Sequence, residues 1–363
     1  MEYRSTKKFN EKLSLLGFGC MRFPTTPEGK IDREAATKML DAAYKNGVNY
    51  FDTAYIYHDG ESETFTGEAL EAYDRSSYYL ATKLPCWMVN SLDDAKRIFE
   101  DQLKKLNKDY IDFYLLHSMG KTTWDRMLQL GVLEYCESLK KEGRIRYLGF
   151  SFHDSYPVFE EIITYRDWDF CQIQLNYMDE EEQAGVKGYQ LAEKLGVPVI
   201  VMEPVKGGSL ASLPEDITAV LREQDPNAST ASWALRWVGT FPGVAVILSG
   251  MSTPEQLADN LKTFDRFQPL NESEKQAVDT VKRMMKARVN NGCTGCKYCM
   301  PCPAGVDIPR NFSIWNTFGV YQNEQQAKRQ WKNLKEEMKA KNCVECGQCE
   351  DACPQKISIR ADL

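Results

Sequence analysis

Short apolar runs alternate along the chain with longer stretches whose apolar residues recur every three to four positions. The short runs, at 15–19, 48–51, 78–82, 110–116, 145–150, 169–175, 197–202 and 244–248, read as strands. Between them the helical period dominates. Behind Asp32, an expected N-cap, Ala35, Ala36, Met39, Leu40 and Ala43 share one face. Ser91 and Asp94 have capping-box spacing and open a helix with Leu92, Ala95, Phe99, Leu103 and Leu106 on one side. Further helices are predicted over 63–73, 127–141, 155–165, 182–195, 228–239 and 254–264. Residues 3–16 alternate loosely and predict a hairpin closing one barrel end. Eight strand-like runs, most trailed by a helix, predict an α/β protein built on a (β/α)8 TIM barrel. The alternative is a doubly wound sheet. The G-x-G-x-x-G fingerprint expected there after the first strand is missing.

Composition narrows the class. A hydrophobic content of 43% is that of a globular protein, and a net charge of -7 offers no basic excess to neutralise nucleic-acid phosphates. No run approaches the ~20 apolar residues of a membrane span, and the first residues lack a signal-peptide core, so a cytoplasmic location is expected. Eight of the 12 cysteines lie in the last quarter, while Cys20, Cys86, Cys136 and Cys171 are scattered and read as reduced, buried thiols.

Three consecutive strand-like runs finish on ionisable side chains: 48–51 on Asp52, with Tyr57 five positions on, 78–82 on Lys83, and 110–116 on His117. In a parallel barrel all strand C-termini meet at one mouth, so these groups converge. A tyrosine near pKa ~10 is a poor acid at neutral pH. A neighbouring Lys83 ammonium is expected to lower that pKa, with Asp52 keeping the lysine charged and in place. The segments FDTAYIYHDGESE, ATK and DYIDFYLLH, in this order, resemble the catalytic signature of the aldo-keto reductases over the first three quarters of the chain. The resemblance implies Tyr57 as proton donor, Asp52 and Lys83 as its tuning pair, and His117 as the group that orients the substrate carbonyl.

It also implies a nicotinamide dinucleotide, NADP or NAD, at the strand C-termini. Ser151 in GFS and Gln172 in CQIQLNY would bond the carboxamide, Met202 in VIVMEP would cover the ring, and Asn260 in LSGMSTPEQLADN would meet the adenine. Phe152 replaces the asparagine that accompanies the serine, Met202 replaces a stacking aromatic, and Gly250 and Gln256 stand where NADPH-preferring members carry Lys and Arg. Those cations would clamp a 2′-phosphate, and their absence argues against a strict NADPH preference. Tyr55, Trp87 and Trp124 suggest a partly apolar substrate pocket.

The tail carries a different chemistry. Cys293, Cys296, Cys299 and Cys302-Pro303 are followed by Cys343, Cys346, Cys349 and Cys353-Pro354. The second run matches the bacterial ferredoxin pattern, and the first is one residue short before its Cys-Pro. In two-cluster ferredoxins the fourth ligand belongs to the other cluster. One 4Fe–4S cluster is therefore assigned to Cys293, Cys296, Cys299 and Cys353, the other to Cys343, Cys346, Cys349 and Cys302. Zinc, which also uses C-x2-C pairs, is the alternative. The segments 308–321 and 324–341 both read as helices, so the tail resembles an α-helical two-cluster ferredoxin.

Residues 1–264 are thus expected to form the barrel, 265–291 a charged connector helical over 272–286, and 292–363 the two-cluster domain. End to end, the chain resembles aldo-keto reductases with a C-terminal ferredoxin-like domain. That implies an NAD(P)(H)-dependent oxidoreductase interconverting a carbonyl and an alcohol with a small-molecule substrate; the tail allows a one-electron redox partner, and charge and hydropathy argue against nucleic acid and membrane as partners. The competing reading is an iron–sulfur electron carrier or redox sensor using the barrel as a scaffold.

Overall fold

The computed structural model describes residues 1–9 and 11–363. Strands β1 (Tyr3–Arg4) and β2 (Leu13–Ser14) pair antiparallel as the expected hairpin. Eight more strands follow: β3 (Leu16–Gly19), β4 (Tyr50–Asp52), β5 (Tyr79–Leu84), β6 (Ile111–Met119), β7 (Ile145–Phe152), β8 (Phe170–Gln174), β9 (Val199–Met202) and β10 (Val244–Ser249). All pair in parallel with their neighbours, and β10 pairs with β3 to close the barrel, which excludes the doubly wound sheet. The eight C-terminal ends therefore share one mouth.

The barrel interior is aromatic. Phe113 meets the rings of Phe9, Tyr50 and Phe170 at 5.2, 5.0 and 5.2 Å, mostly edge-on, the geometry ring quadrupoles favour. Phe9 comes from the turn of the N-terminal hairpin. Arg4 anchors that hairpin by donating to the carbonyls of Phe241 and Val244 at 2.8 and 2.6 Å.

Local signals explain the helices. The Asp32 carboxylate accepts from the Ala35 amide at 3.0 Å and starts the helix Arg33–Lys45. Ser91 and Asp94 form the capping box of Leu92–Leu106. The stretch expected as one helix over 127–141 is two, Lys121–Gln129 and Val132–Lys141. Gly131 between them has φ +70°, a left-handed conformation that ends one helix and redirects the chain into the next. Cys20, Cys86, Cys136 and Cys171 are buried, and burial pushes the Cys20 and Cys86 thiols up to about 12, so they stay protonated and inert.

The chain forms two compact units, Met1–Leu210 with Ala231–Leu270 and Ala211–Thr230 with Asn271–Leu363. The first holds the barrel. In the second, the helix Glu272–Lys286 buries Ala277, Val278, Val281 and Met285 and packs against Glu215–Gln224, a helix that the strand-and-helix alternation did not reveal. The helix Ile308–Tyr321 starts on an Asp307 cap with Pro309 in its first turn. The expected helix over 324–341 stops at Asn333. Beyond it the chain tightens into short 3-10 turns, because Asn311 draws the backbone inward: its Nδ2 donates to the Met338 carbonyl at 2.9 Å and its Oδ1 accepts from the Ala340 amide at 3.0 Å. Tertiary hydrogen bonds override helix propensity there. Among the described residues no helix is long and apolar enough to cross a membrane.

Candidate active site

Asp52 ends β4, and Lys83 lies near the end of the adjacent β5. The Lys83 side chain is wholly buried, and its Nζ donates to Asp52 Oδ1 at 2.6 Å and to the Thr53 carbonyl at 2.7 Å. The third direction of the ammonium faces Tyr57, with Nζ 3.4 Å from Oη and 4.9 Å from the ring centroid. Tyr57 reaches that position from a loop in which His58 and Asp59 both take left-handed backbone conformations, φ 52° and 54°. Such strain persists only where the surroundings enforce it; the Phe23 amide donates to His58 Nε2 at 3.3 Å. His117, on β6, stands edge-on to Tyr57 with ring centroids 6.2 Å apart, and the Trp87 ring centroid lies 5.0 Å from that of His117.

Charge follows from burial and partners. Burial opposes the Lys83 ammonium, but Asp52 and Tyr57 outweigh it and its pKa is raised. At Tyr57 the expected order of effects is reversed. Burial raises the phenol above its ordinary value, and the pull of Lys83 only moderates that rise. Tyr57 is therefore a protonated donor at neutral pH rather than a group poised near it. Burial, with the positive charge of Lys83 nearby, holds His117 well below the ordinary imidazole range. The imidazole is thus neutral, and its Nδ1 is a buried polar atom without a partner. In an NMR titration the His117 ring resonances should stay those of neutral imidazole from pH 8 down through ~6.5, the free value. A midpoint at or above that value would contradict this environment.

The expected dinucleotide residues fall into two groups. Ser151 and Gln172 are paired in register on β7 and β8, and Met202 ends the neighbouring β9. Ser151 Oγ accepts from the Ser118 amide at 2.8 Å, leaving its hydroxyl proton available. Gln172 Nε2 lies 3.6 Å from Met202 Sδ, and Gln172 Oε1 is buried with no partner. An orphaned amide oxygen beside a free hydroxyl suits a carboxamide, which must both donate and accept. The second group follows β10. Asn260 Nδ2 donates to Ser249 Oγ at 2.9 Å, and Gln256 Oε1 accepts from the Ser252 amide at 2.8 Å, so both side chains shape their own loop. Gly250 leaves room that Arg22 fills: a Cβ at 250 would sit 2.8 Å from Arg22 Cγ. Arg22 Nη2 lies 3.9 Å from the corresponding point on Gly207, in the loop after β9. An arginine from the loop after β3 thus occupies the space beside position 250, a neighbour that motif reading alone did not find.

Two of the aromatics expected at the pocket are elsewhere. Trp124 is fully buried against Tyr165 and Trp168. Tyr55 donates to Asp101 at 2.9 Å beneath the Lys105 ammonium. Trp87 remains, 39% exposed beside His117.

In the second unit the cysteines line two cavities. One, of 190 Å³, has Cys302, Cys343, Cys346 and Cys349 in its wall together with Cys299. The other has Cys293, Cys296, Cys299 and Cys353 with Ile308, Phe312, Ile357 and Ile359, and its 20 Å³ leaves room for about one water. A mononuclear zinc site would draw four thiolates onto one point. Each cavity instead has at least four cysteines in its lining, a donor set that suits a polynuclear cluster. The donor set fits at both cavities, the present volume at the larger one.

Residues 15–283 match the aldo/keto reductase family, and residues 292–357 match a 4Fe-4S dicluster domain. YqkF, an oxidoreductase of Bacillus subtilis, is 29% identical over 281 residues, covering 69% of this chain and 87% of its own. The aryl-alcohol dehydrogenase (NADP(+)) of Phanerodontia chrysosporium is 33% identical over 141 residues, 34% of this chain and 35% of its own. Among solved structures, the holo form of aldo-keto reductase AKR11C1 from Bacillus halodurans superposes with a TM-score of 0.65 at 29% identity, covering 77% of this chain and 96% of its own. The family match runs through every strand of the barrel and ends before Cys293; the chain therefore belongs to the aldo/keto reductase family and continues beyond it into a 4Fe-4S dicluster domain.

Proposed function

We propose that the barrel interconverts a carbonyl and an alcohol with a nicotinamide dinucleotide, and that the tail holds two 4Fe–4S clusters. The observation that carries the first part is the Lys83 ammonium, fixed by Asp52 and the Thr53 carbonyl and facing the Tyr57 hydroxyl. In the reducing direction Tyr57 gives its proton to the substrate oxygen, and the Lys83 charge stabilises the phenolate left behind. Neutral His117 offers a hydrogen bond to the same oxygen and so fixes the carbonyl's orientation. Ser151 and Gln172 hold the carboxamide, Met202 covers the ring, and Gly250, Gln256 and Asn260 belong to the loop that receives the adenosine end. When bound, the nicotinamide supplies the hydride. An assay of dinucleotide oxidation over a panel of aldehydes and ketones tests this reading; no consumption with any of them would refute it.

Arg22 serves in this reading as the cation toward the dinucleotide phosphates. A charge-assisted hydrogen bond contributes ~1.5–3 kcal/mol, so Arg22→Ala should weaken NADPH binding by about 10–100-fold, measured by fluorescence titration. NADH should lose less. Unchanged affinity for both would remove Arg22 from the site.

The cluster ligands are proposed as Cys293, Cys296, Cys299 and Cys353 for one and Cys302, Cys343, Cys346 and Cys349 for the other, in line with the walls of the two cavities. Such clusters supply one-electron storage, and an external one-electron partner is the reading for their use.

A further inference from the structure

The Lys83 ammonium is held by Asp52 and the Thr53 carbonyl, and two buried side chains bond the residues around it. Both belong to the first turn of the helix Ser62–Ala69. Ser62 Oγ donates to the Cys20 carbonyl at 2.9 Å and lies 2.9 Å from Thr53 Oγ1. Thr53 is the residue whose carbonyl accepts from Lys83 Nζ. Glu63 Oε1 accepts from Thr82 Oγ1 at 2.6 Å and from Gln102 Nε2 at 2.8 Å. The same Gln102 amide donates to the Lys83 carbonyl at 2.9 Å, and Gln102 Oε1 accepts from Tyr114 Oη at 2.7 Å. Glu63 is fully buried, and the nearest cation, Lys105, stands 4.0 Å from its other oxygen.

A buried carboxylate bonded mainly by neutral donors is costly, and apolar packing would serve stability alone better. The chain also keeps a close approach that makes the network possible. A Cβ on Gly67, one turn beyond Glu63, would sit 2.3 Å from the Leu106 carbonyl oxygen, so only glycine lets this helix press against Leu92–Leu106 and bring Gln102 within reach.

We propose that Ser62 and Glu63 are positioning residues for proton transfer. Ser62 sets the carbonyl that receives the Lys83 ammonium, and Glu63, through Thr82 and Gln102, sets the strand that carries it. Together they hold Nζ against Tyr57. This rests on the assignment of Tyr57 as proton donor.

The test uses the full chain with its clusters and compares Glu63→Gln, Glu63→Leu and Ser62→Ala. A displacement of about 1 Å in a catalytic group costs up to ~10²-fold. Glu63→Leu should lower kcat for aldehyde reduction by about 10–100-fold with NADPH affinity unchanged, and Glu63→Gln, which keeps the accepting oxygen, should recover most of it. The Tyr57 phenol titration, read as an ultraviolet difference against the same variant carrying Tyr57→Phe, should move upward in Glu63→Leu and Ser62→Ala as the pull of Lys83 weakens. That readout needs no turnover, so it stands even if no carbonyl is a substrate. A lower melting temperature with kcat and the Tyr57 titration both unchanged would make the network merely structural and overturn the proposal. Ser62→Ala, which removes one hydroxyl, covers the case in which Glu63→Leu does not fold.

Discussion

Tyr57→Phe should lower carbonyl reduction by ~10²–10⁴-fold, the usual size of a lost general acid. The substitution removes only the hydroxyl. The ring keeps its edge contact with His117 and its place beneath the Lys83 ammonium, so the loop has no reason to move. Dinucleotide affinity should therefore be unchanged, because Ser151, Gln172 and the loop after β10 lie on other strands. The pH dependence carries a sign. Burial raises the Tyr57 pKa, so the donor is fully protonated through neutral pH, and wild-type reduction should decline only at alkaline pH as the phenol ionises. The variant should lose that alkaline decline together with its rate. Steady-state kinetics across pH decide this; near-wild-type turnover would mean the proton comes from elsewhere.

The second large effect concerns metal content. Anaerobically prepared protein should hold about eight iron and about eight inorganic sulfides per chain, as two cubanes require. Cys349→Ser should lose or damage one cluster and leave the other, since Cys349 lines the larger cavity and is absent from the walls of the smaller. Circular dichroism of the variant should retain the barrel signal, because the barrel belongs to the other compact unit and has its own core. Iron and sulfide analysis beside the visible spectrum measures this. Stoichiometric zinc without broad visible absorption would contradict it.

The sequence disclosed the barrel because its two periods are clean. Strand runs such as 244–248 are continuous and apolar, as strands covered on both faces must be, and caps such as Asp32 and Ser91 mark the helix starts chemically. The juxtaposition of Asp52, Lys83 and His117 was legible for one reason: parallel strands bring their C-terminal ends together whatever lies between them. What escaped depended on three-dimensional neighbours. Whether burial or Lys83 governs the Tyr57 pKa is a contest of magnitudes, and no spacing reports it. Arg22 lies 228 positions from Gly250 and reaches it only because β10 closes onto β3. The Glu63–Gln102–Thr82 network spans two helices and a strand, and its sole sequence trace is a glutamate four residues before a glycine. Helix propensity over 334–341 lost to the bonds of a single asparagine, Asn311, from another helix.

Hydride transfer moves two electrons at once, whereas a 4Fe–4S cluster exchanges one, and enzymes that join the two regimes normally place a converter such as a flavin between them. The sequence commits the chain to no flavin motif. In the proposed function the two chemistries are therefore separate: carbonyl reduction at the barrel, and one-electron exchange with an external partner at the tail. The most direct test of this separation is an anaerobic stopped-flow mix of NADPH with flavin-free, oxidised holoprotein, with and without an aldehyde, following nicotinamide and cluster absorption together. Nicotinamide should be consumed only when the aldehyde is present, and the cluster absorption should not bleach on the timescale of turnover. Bleaching by NADPH alone, as fast as turnover, would contradict the separation and make the barrel a nicotinamide–ferredoxin type of oxidoreductase.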